Sequence, residues 1–223
     1  MSYPTRCIKM KIGLTGTHSS GKTTIAKALL EKYPNAETIG SIARDCPLPI
    51  NQKATLDTML WIQLERIKQE MLKTEKNKLL ICERTTLDEY CYLQRWEETH
   101  FNNLTIKERE DYIGKKRIMA TIAEEWLPSY DILFKIDRLD KLYMDNIRDN
   151  DIKFWTRIDR LIDIETNRLR LPEKQTAYKR ISFDTKENRQ KKIEDFIDLQ
   201  AAKNKHFEEV LRKASEEPFG NGV

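Results

Sequence analysis

The chain has 223 residues, with 40 Lys and Arg against 36 Asp and Glu, for a formal net charge of +4. That length suits one domain with a substantial core, and so small a charge excess permits polyanionic partners without demanding them. The four cysteines, Cys7, Cys46, Cys82 and Cys91, form no C-x-x-C pair, and with only three histidines besides they predict reduced thiols rather than a zinc site.

The first predicted element is a strand in which Ile8, Met10, Ile12 and Leu14 alternate toward one side. A helix follows from Lys22, with Ile25, Ala26, Leu29 and Leu30 at helical spacing and a stop at Tyr33-Pro34. Between them, Gly16-Thr17-His18-Ser19-Ser20-Gly21-Lys22-Thr23 fits G-x-x-x-x-G-K-[ST] at every fixed position. The chemistry asks for these residue types. Gly16 and Gly21 permit backbone angles that turn consecutive N–H groups toward phosphate oxygens, and the helix start adds its positive dipole end. Lys22 is placed to reach the β- and γ-phosphates, and the Thr23 hydroxyl to bind Mg²⁺. His18 reads as an exposed loop residue rather than a catalyst.

A short strand is expected at 36–40, a loop at Pro47 and Pro49, and a helix over about 54–74 with the stripe Leu56, Leu60, Leu64, Ile67 and Met71. The run "KLLIC" at 78–82 predicts a buried parallel strand that ends at Glu83-Arg84. Asp88 reads equally as a helix N-cap or as a site residue. Thr105-Ile106-Lys107-Glu108 is a capping box opening a long helix with the stripe Ile106, Tyr112, Met119, Ile122, Ala123 and Trp126, closed by Pro128. Strands are expected at 131–136 and 177–183. Asp184 with Glu187 is read as the cap of a closing helix that buries Ile193, Ile197, Phe207 and Leu211, ahead of a frayed tail at about 215–223. No apolar run approaches the ~20 residues of a membrane span and no signal-peptide core is present, so a soluble cytoplasmic protein is expected.

Strands alternating with helices predict a parallel sheet covered on both faces, with ligands at the carboxyl ends of its strands. The glycine-lysine loop, Glu83-Arg84 and the segment after Ile136 all fall there. A carboxylate at Glu83 suits holding Mg²⁺ through water or taking a proton from an attacking hydroxyl, and Arg84 suits an anionic group or transition-state charge. An ordinary solvated ion pair at a strand end is the alternative. The charge-rich segment from Asp145 to Arg160 carries Arg148, Arg157 and Arg160. It reads as a lid whose arginines close over transferring phosphate, as an amphipathic helix with Ile158, Leu161 and Ile162 inward, or as both.

Together "GLTGTHSSGKTT", "ERTTLDEY" and "DNIRDND…F…ID" resemble the P-loop ATPase/kinase family that includes the ribosylnicotinamide kinase domain of NAD-metabolism regulators. The resemblance covers most of residues 8–200. Phage kinases of 5-hydroxymethyluracil in DNA are a related branch, and thymidylate and deoxynucleoside kinases share the layout. The resemblance implies a P-loop NTPase three-layer sandwich, with a five-stranded parallel sheet, helices on both faces and a helical lid at about 138–172, all in a single domain. It implies ATP binding by Gly16, Thr17, His18, Ser19, Ser20, Gly21, Lys22, Thr23 and Thr24, with Mg²⁺ held at Thr23 and Glu83. Lys22, Glu83, Arg84 and the lid arginine Arg148 would serve catalysis. Arg44, in "SIARD", is similar to the arginine of a substrate-side E-x-A-R motif. Two positions depart from the pattern: Ser41 stands where that motif has glutamate, and Trp155 where the lid has a second arginine, with Arg157 two residues on.

These features point to a kinase passing the ATP γ-phosphoryl group to a nucleoside- or nucleotide-type acceptor, including a hydroxymethylated base in DNA. Arg44, Arg84, Asp88, Trp155 and Arg157 are the candidate acceptor residues. Trp155 either stacks on a base or packs in the lid helix. A ribosylnicotinamide-type kinase and a nucleotide-binding regulatory ATPase are the competing readings. A GTPase is disfavoured, because "FKIDRLDK" holds no N-K-x-D base reader.

Overall fold

A computed structural model describes residues 9–74, 79–139, 151–169 and 176–216, the side chains of 52, 210, 211 and 213–216 excepted. Ile8, Arg148, the Leu211 side chain, the end of the tail and residues 140–150 and 170–172 of the expected lid lie outside the described residues. Five parallel strands form one sheet: β1 (Met10–Thr15), β2 (Glu37–Ile39), β3 (Leu79–Cys82), β4 (Ile132–Ile136) and β5 (Ala177–Ile181), in the order β2-β3-β1-β4-β5. Among the described residues six α-helices accompany them: α1 (Lys22–Lys32), α2 (Leu56–Thr74), α3 (Thr86–His100), α4 (Ile106–Trp126), α5 (Ile152–Leu169) and α6 (Lys186–Glu216).

The central strands β1, β3 and β4 are buried along their whole length. This is why β3 and β4 read as short apolar runs; β1 keeps its alternation, although Lys11 and Thr15 between its apolar residues are buried as well. Ile12, Leu14, Ile81 and Phe134 face one layer, where they pack with Ile25 and Leu29 of α1 and Ile193 and Ile197 of α6. Leu80, Cys82 and Leu133 face the other, against Ile62 of α2, Leu87 and Cys91 of α3 and Ile158, Leu161 and Ile162 of α5. The long helix α4 lies outside this layer and adds Tyr112, Met119 and Ala123 to a cluster with α2 and α3.

Helix α2 is rotated relative to the stripe that the sequence predicts. Leu64 and Met71 are exposed, and the buried face instead carries Met59, Ile62, Gln63, Arg66 and Glu70. Buried polar groups need partners, and these have them. Glu70 accepts from the Lys11 ammonium at 3.2 Å, the Trp126 indole at 2.8 Å and the Tyr130 hydroxyl at 2.7 Å. Gln63 donates to the carbonyls of Thr86 and Met119. Arg66 donates to the Arg84 carbonyl at 3.1 Å and to Glu89 at 3.2 Å.

Three smaller expectations are corrected. Ile106 is 81% exposed and Phe207 63% exposed, so neither joins a core. The cap of α6 is Thr185, whose Oγ1 accepts from the Asn188 N–H at 3.2 Å, while Asp184 receives the Asn188 amide and the Lys192 ammonium. Those donors hold the Asp184 carboxyl down at about 2. No helix among the described residues is long and apolar enough to cross a membrane.

Candidate active site

The loop between β1 and α1 lies at the carboxyl end of the sheet. Gly16 has a φ of 153° and Gly21 one of 89°. A Cβ on Gly16 would stand 2.5 Å from the Ile136 carbonyl oxygen, so no side chain fits there. Gly21 precedes the first turn of α1 in left-handed geometry. Between them Ser19, at φ 54°, completes the turn. The Lys22 ammonium is buried inside the loop and donates to the carbonyls of Gly16 and Thr17, both at 2.6 Å, and to the Ser20 hydroxyl at 3.1 Å. Thr24 is exposed on the next turn.

Strand β3 delivers Glu83 to this loop. The Thr23 hydroxyl donates to Glu83 Oε2 at 2.6 Å. A hydroxyl and a carboxylate side by side are the hard oxygen donors that Mg²⁺ takes, and Mg²⁺ needs few protein ligands when phosphates supply the rest. The described residues hold no cluster of three or more His, Cys, Asp or Glu able to bind a metal, which is compatible with such a sparse site.

Asp88 resolves differently from both sequence readings. It sits in the first turn of α3 behind the cap residue Thr85, and its Oδ2 accepts from the Thr85 N–H and hydroxyl, both at 2.9 Å. Its Oδ1 accepts from the Gly16 N–H at 3.0 Å. One buried carboxylate therefore ties the start of α3 to the start of the phosphate loop, and it does not line the neighbouring cavity.

That cavity, about 380 Å³, opens beside the loop. His18, Ser41, Arg44 and Arg84 line it, as do Tyr92 and Phe154. A volume of this size is at the lower end for small-molecule sites and accommodates about one nucleotide-sized ligand. Arg44 reaches it from the turn after β2. Arg84 reaches it from the end of β3, its Nη2 donating to the Tyr92 hydroxyl at 3.3 Å and its Nη1 3.7 Å from Asp88. Burial works against the Arg84 charge, but Tyr92, Asp88 and Glu89 outweigh it and raise its pKa, so the guanidinium stays ionised.

His18, expected to be exposed, is buried against this wall. Trp155 is 2% exposed, does not line the cavity, and donates its indole N–H to the His18 carbonyl at 2.8 Å. Of its two readings, packing within the helix is the one the geometry meets. Its neighbour Phe154 faces the cavity instead. Arg157 is also directed elsewhere: its Nε donates to Glu98 at 2.7 Å, joining α5 to α3 and holding the Glu98 carboxyl below its usual range.

Helix α3 supplies more of the cavity residues that the sequence reading missed than any other element: Glu89, Tyr92, Arg95, Trp96, Thr99 and His100. Their spacing by three and four is the signal that could have found them. It was hidden because the face carries charge and aromatic rings rather than an aliphatic stripe.

A profile of the AAA domain family matches residues 11–174. A search of curated protein sequences finds no match. In structure the chain is similar to deoxyadenosine kinase from M. mycoides with bound dATP, at 16% identity over 85% of this chain and 99% of that one, with a TM-score of 0.61. It is similar to thymidylate kinase from Candida albicans, at 15% identity over 86% and 92% of the two chains, TM-score 0.57. It is also similar to NadR protein in complex with NAD and AMP-PNP, at 11% identity over 78% of this chain and 45% of that one, TM-score 0.58. At these identities the likeness is one of fold: a P-loop, nucleoside-kinase-like α/β sandwich with a five-stranded parallel sheet. With the phosphate loop closed around Lys22 and its profile covering most of the length, the chain belongs to the AAA domain family.

Proposed function

We propose that the protein is an ATP-dependent kinase that passes the γ-phosphoryl group to a hydroxyl or phosphate of a nucleoside- or nucleotide-type acceptor, free or within DNA. The observation that carries this reading is the junction of two sites. The Thr23–Glu83 pair, at 2.6 Å, closes the phosphate loop, and the very next residue, Arg84, lines a cavity sized for one acceptor. A regulatory nucleotide switch would need the loop alone. The three kinase-fold neighbours, one of them with bound dATP, support the same reading.

In this mechanism the N–H groups of the loop after Gly16, whose own N–H is held by Asp88, cradle the ATP phosphates and Lys22 balances charge on the β- and γ-groups. Thr23 and Glu83 would hold Mg²⁺, which when bound neutralises charge across those two phosphates. Glu83 also accepts the proton of an attacking hydroxyl, and Arg84 balances charge that develops on the transferring group. Asp88 keeps the loop and the start of α3 in fixed relation.

The test is a γ-labelled ATP transfer screen over nucleosides, nucleotides, ribosylnicotinamide and hydroxymethyluracil-containing DNA. Label transferred to a nucleoside, a nucleotide or the DNA is the expected result. ATP binding and slow hydrolysis with no transfer to any of them would favour the regulatory ATPase instead.

A further inference from the structure

His18 belongs to the phosphate loop, yet its side chain lines the acceptor cavity. Its Nδ1 lies 3.2 Å from the Tyr92 hydroxyl of α3. That hydroxyl accepts from Arg84 at 3.3 Å, and the Arg84 guanidinium carbon lies 5.1 Å from the Tyr92 ring centroid. Having accepted from Arg84, the hydroxyl has its own proton to give to Nδ1. Phe154 of α5 packs against both rings, 6.2 Å from His18 and 6.0 Å from Tyr92 between centroids. Trp155 holds the His18 carbonyl from the same helix. One tyrosine hydroxyl thus stands between the loop that holds phosphate and an arginine of the acceptor wall.

We propose that His18 and Tyr92 are an acceptor-positioning pair: they fix the Arg84 guanidinium and the cavity-facing edge of the phosphate loop to each other, and so set the distance from acceptor to γ-phosphate. The inference rests on the kinase reading above. Phosphate binding by the loop runs through backbone N–H groups, so the pair acts mainly on the acceptor. Phosphoryl transfer depends on positioning, and an offset of about 1 Å at the reacting atoms can cost on the order of 10²-fold in rate. A side chain that merely filled space would need neither the Tyr92 hydroxyl nor a ring nitrogen opposite it.

The experiment measures binding before transfer. Deoxyadenosine, deoxycytidine, thymidine, their 5′-monophosphates and ribosylnicotinamide are titrated calorimetrically into the full chain at saturating AMP-PNP. AMP-PNP itself is titrated separately. The tightest acceptor probe is then followed in His18→Ala, His18→Asn, Tyr92→Phe and the double variant His18→Ala/Tyr92→Phe. We expect acceptor affinity to fall about 10-fold in His18→Ala and in Tyr92→Phe, and AMP-PNP affinity to fall several-fold less. The double variant should be no worse than the weaker single, as for two residues acting as one unit. His18→Asn, whose amide can meet the tyrosine hydroxyl, should recover most of the loss. Equal losses for AMP-PNP and acceptor, additive losses, failure of any probe to bind, or no rescue by Asn would overturn the pairing. Acceptor binding that depends on the pair but without γ-phosphoryl transfer would instead overturn the kinase reading alone.

Discussion

Thr23 and Glu83, sixty positions apart in the chain, meet at 2.6 Å, hydroxyl to carboxylate. Strand β3 ends one residue before Glu83 and helix α1 begins one residue before Thr23, so two rigid elements set the contact. Replacing Glu83 with Gln keeps the size and removes the charge. We expect kcat to fall by on the order of 10²-fold or more, with a smaller change in the KM for ATP, because the carboxylate serves metal and nucleophile. Steady-state transfer kinetics check this, and an unchanged kcat would leave Glu83 a purely structural partner of Thr23.

Lys22→Ala should abolish turnover while the protein stays folded. The ammonium's hydrogen bonds to two loop carbonyls and a hydroxyl are ones that water can serve in its place. What disappears is a charge-assisted contact to phosphate. Circular dichroism should match the wild type. ATP turnover at the wild-type rate in the folded variant would sink the phosphate-loop mechanism.

How much of this could be seen without coordinates differs from place to place. The turn of the loop was legible, because backbone geometry there restricts residue choice so tightly that the motif specifies it, whereas the burial of His18 was not. Strands β3 and β4 were legible as apolar runs, and β1 as an alternating stretch leading into that loop. Helix α2 was legible in extent, at Leu56–Thr74, but not in orientation, because its buried face is held by hydrogen bonds and ion pairs. Arg66 and Glu70 count as polar in any periodicity, although both are fully buried. The helix α3 face was missed for a related reason: a ligand-facing stripe of Glu89, Tyr92 and Trp96 has helical period but no hydrophobic signature. Trp155 shows the opposite limit. A tryptophan next to charged residues is compatible with stacking or packing, and only the neighbours in space decide.

The α2 network makes its own prediction. Glu70 gathers Lys11, Trp126 and Tyr130 in a fully buried setting. Glu70→Ala removes the carboxylate and leaves the Lys11 ammonium, 6% exposed at its side chain, without its ion-pair partner. Breaking one side of a buried pair typically costs about 3–5 kcal/mol. Chemical denaturation should show a midpoint lowered accordingly, with the slope unchanged. A midpoint within error of wild type would mean that Lys11 finds water or another acceptor at the amino end of β1.

Trp155 offers the sharpest contrast between packing and recognition. Its indole is buried, donates to the His18 carbonyl at 2.8 Å and carries the Arg138 guanidinium 5.1 Å from its ring. Trp155→Phe keeps a ring but removes the indole donor to that carbonyl, a loss of about 1–3 kcal/mol of stability. Trp155→Ala adds a cavity, for a total of about 3–5 kcal/mol. Both variants should loosen the His18 segment and weaken ATP binding along with stability, in the order Ala worse than Phe. A stacking role predicts the reverse. Phe would then preserve acceptor affinity, and Ala would lose about 1–3 kcal/mol of it with stability unchanged. Paired denaturation and calorimetric titrations on the two variants separate these outcomes. A stable Trp155→Ala protein that binds ATP normally but no longer binds its acceptor would show that the indole leaves the core to meet a base.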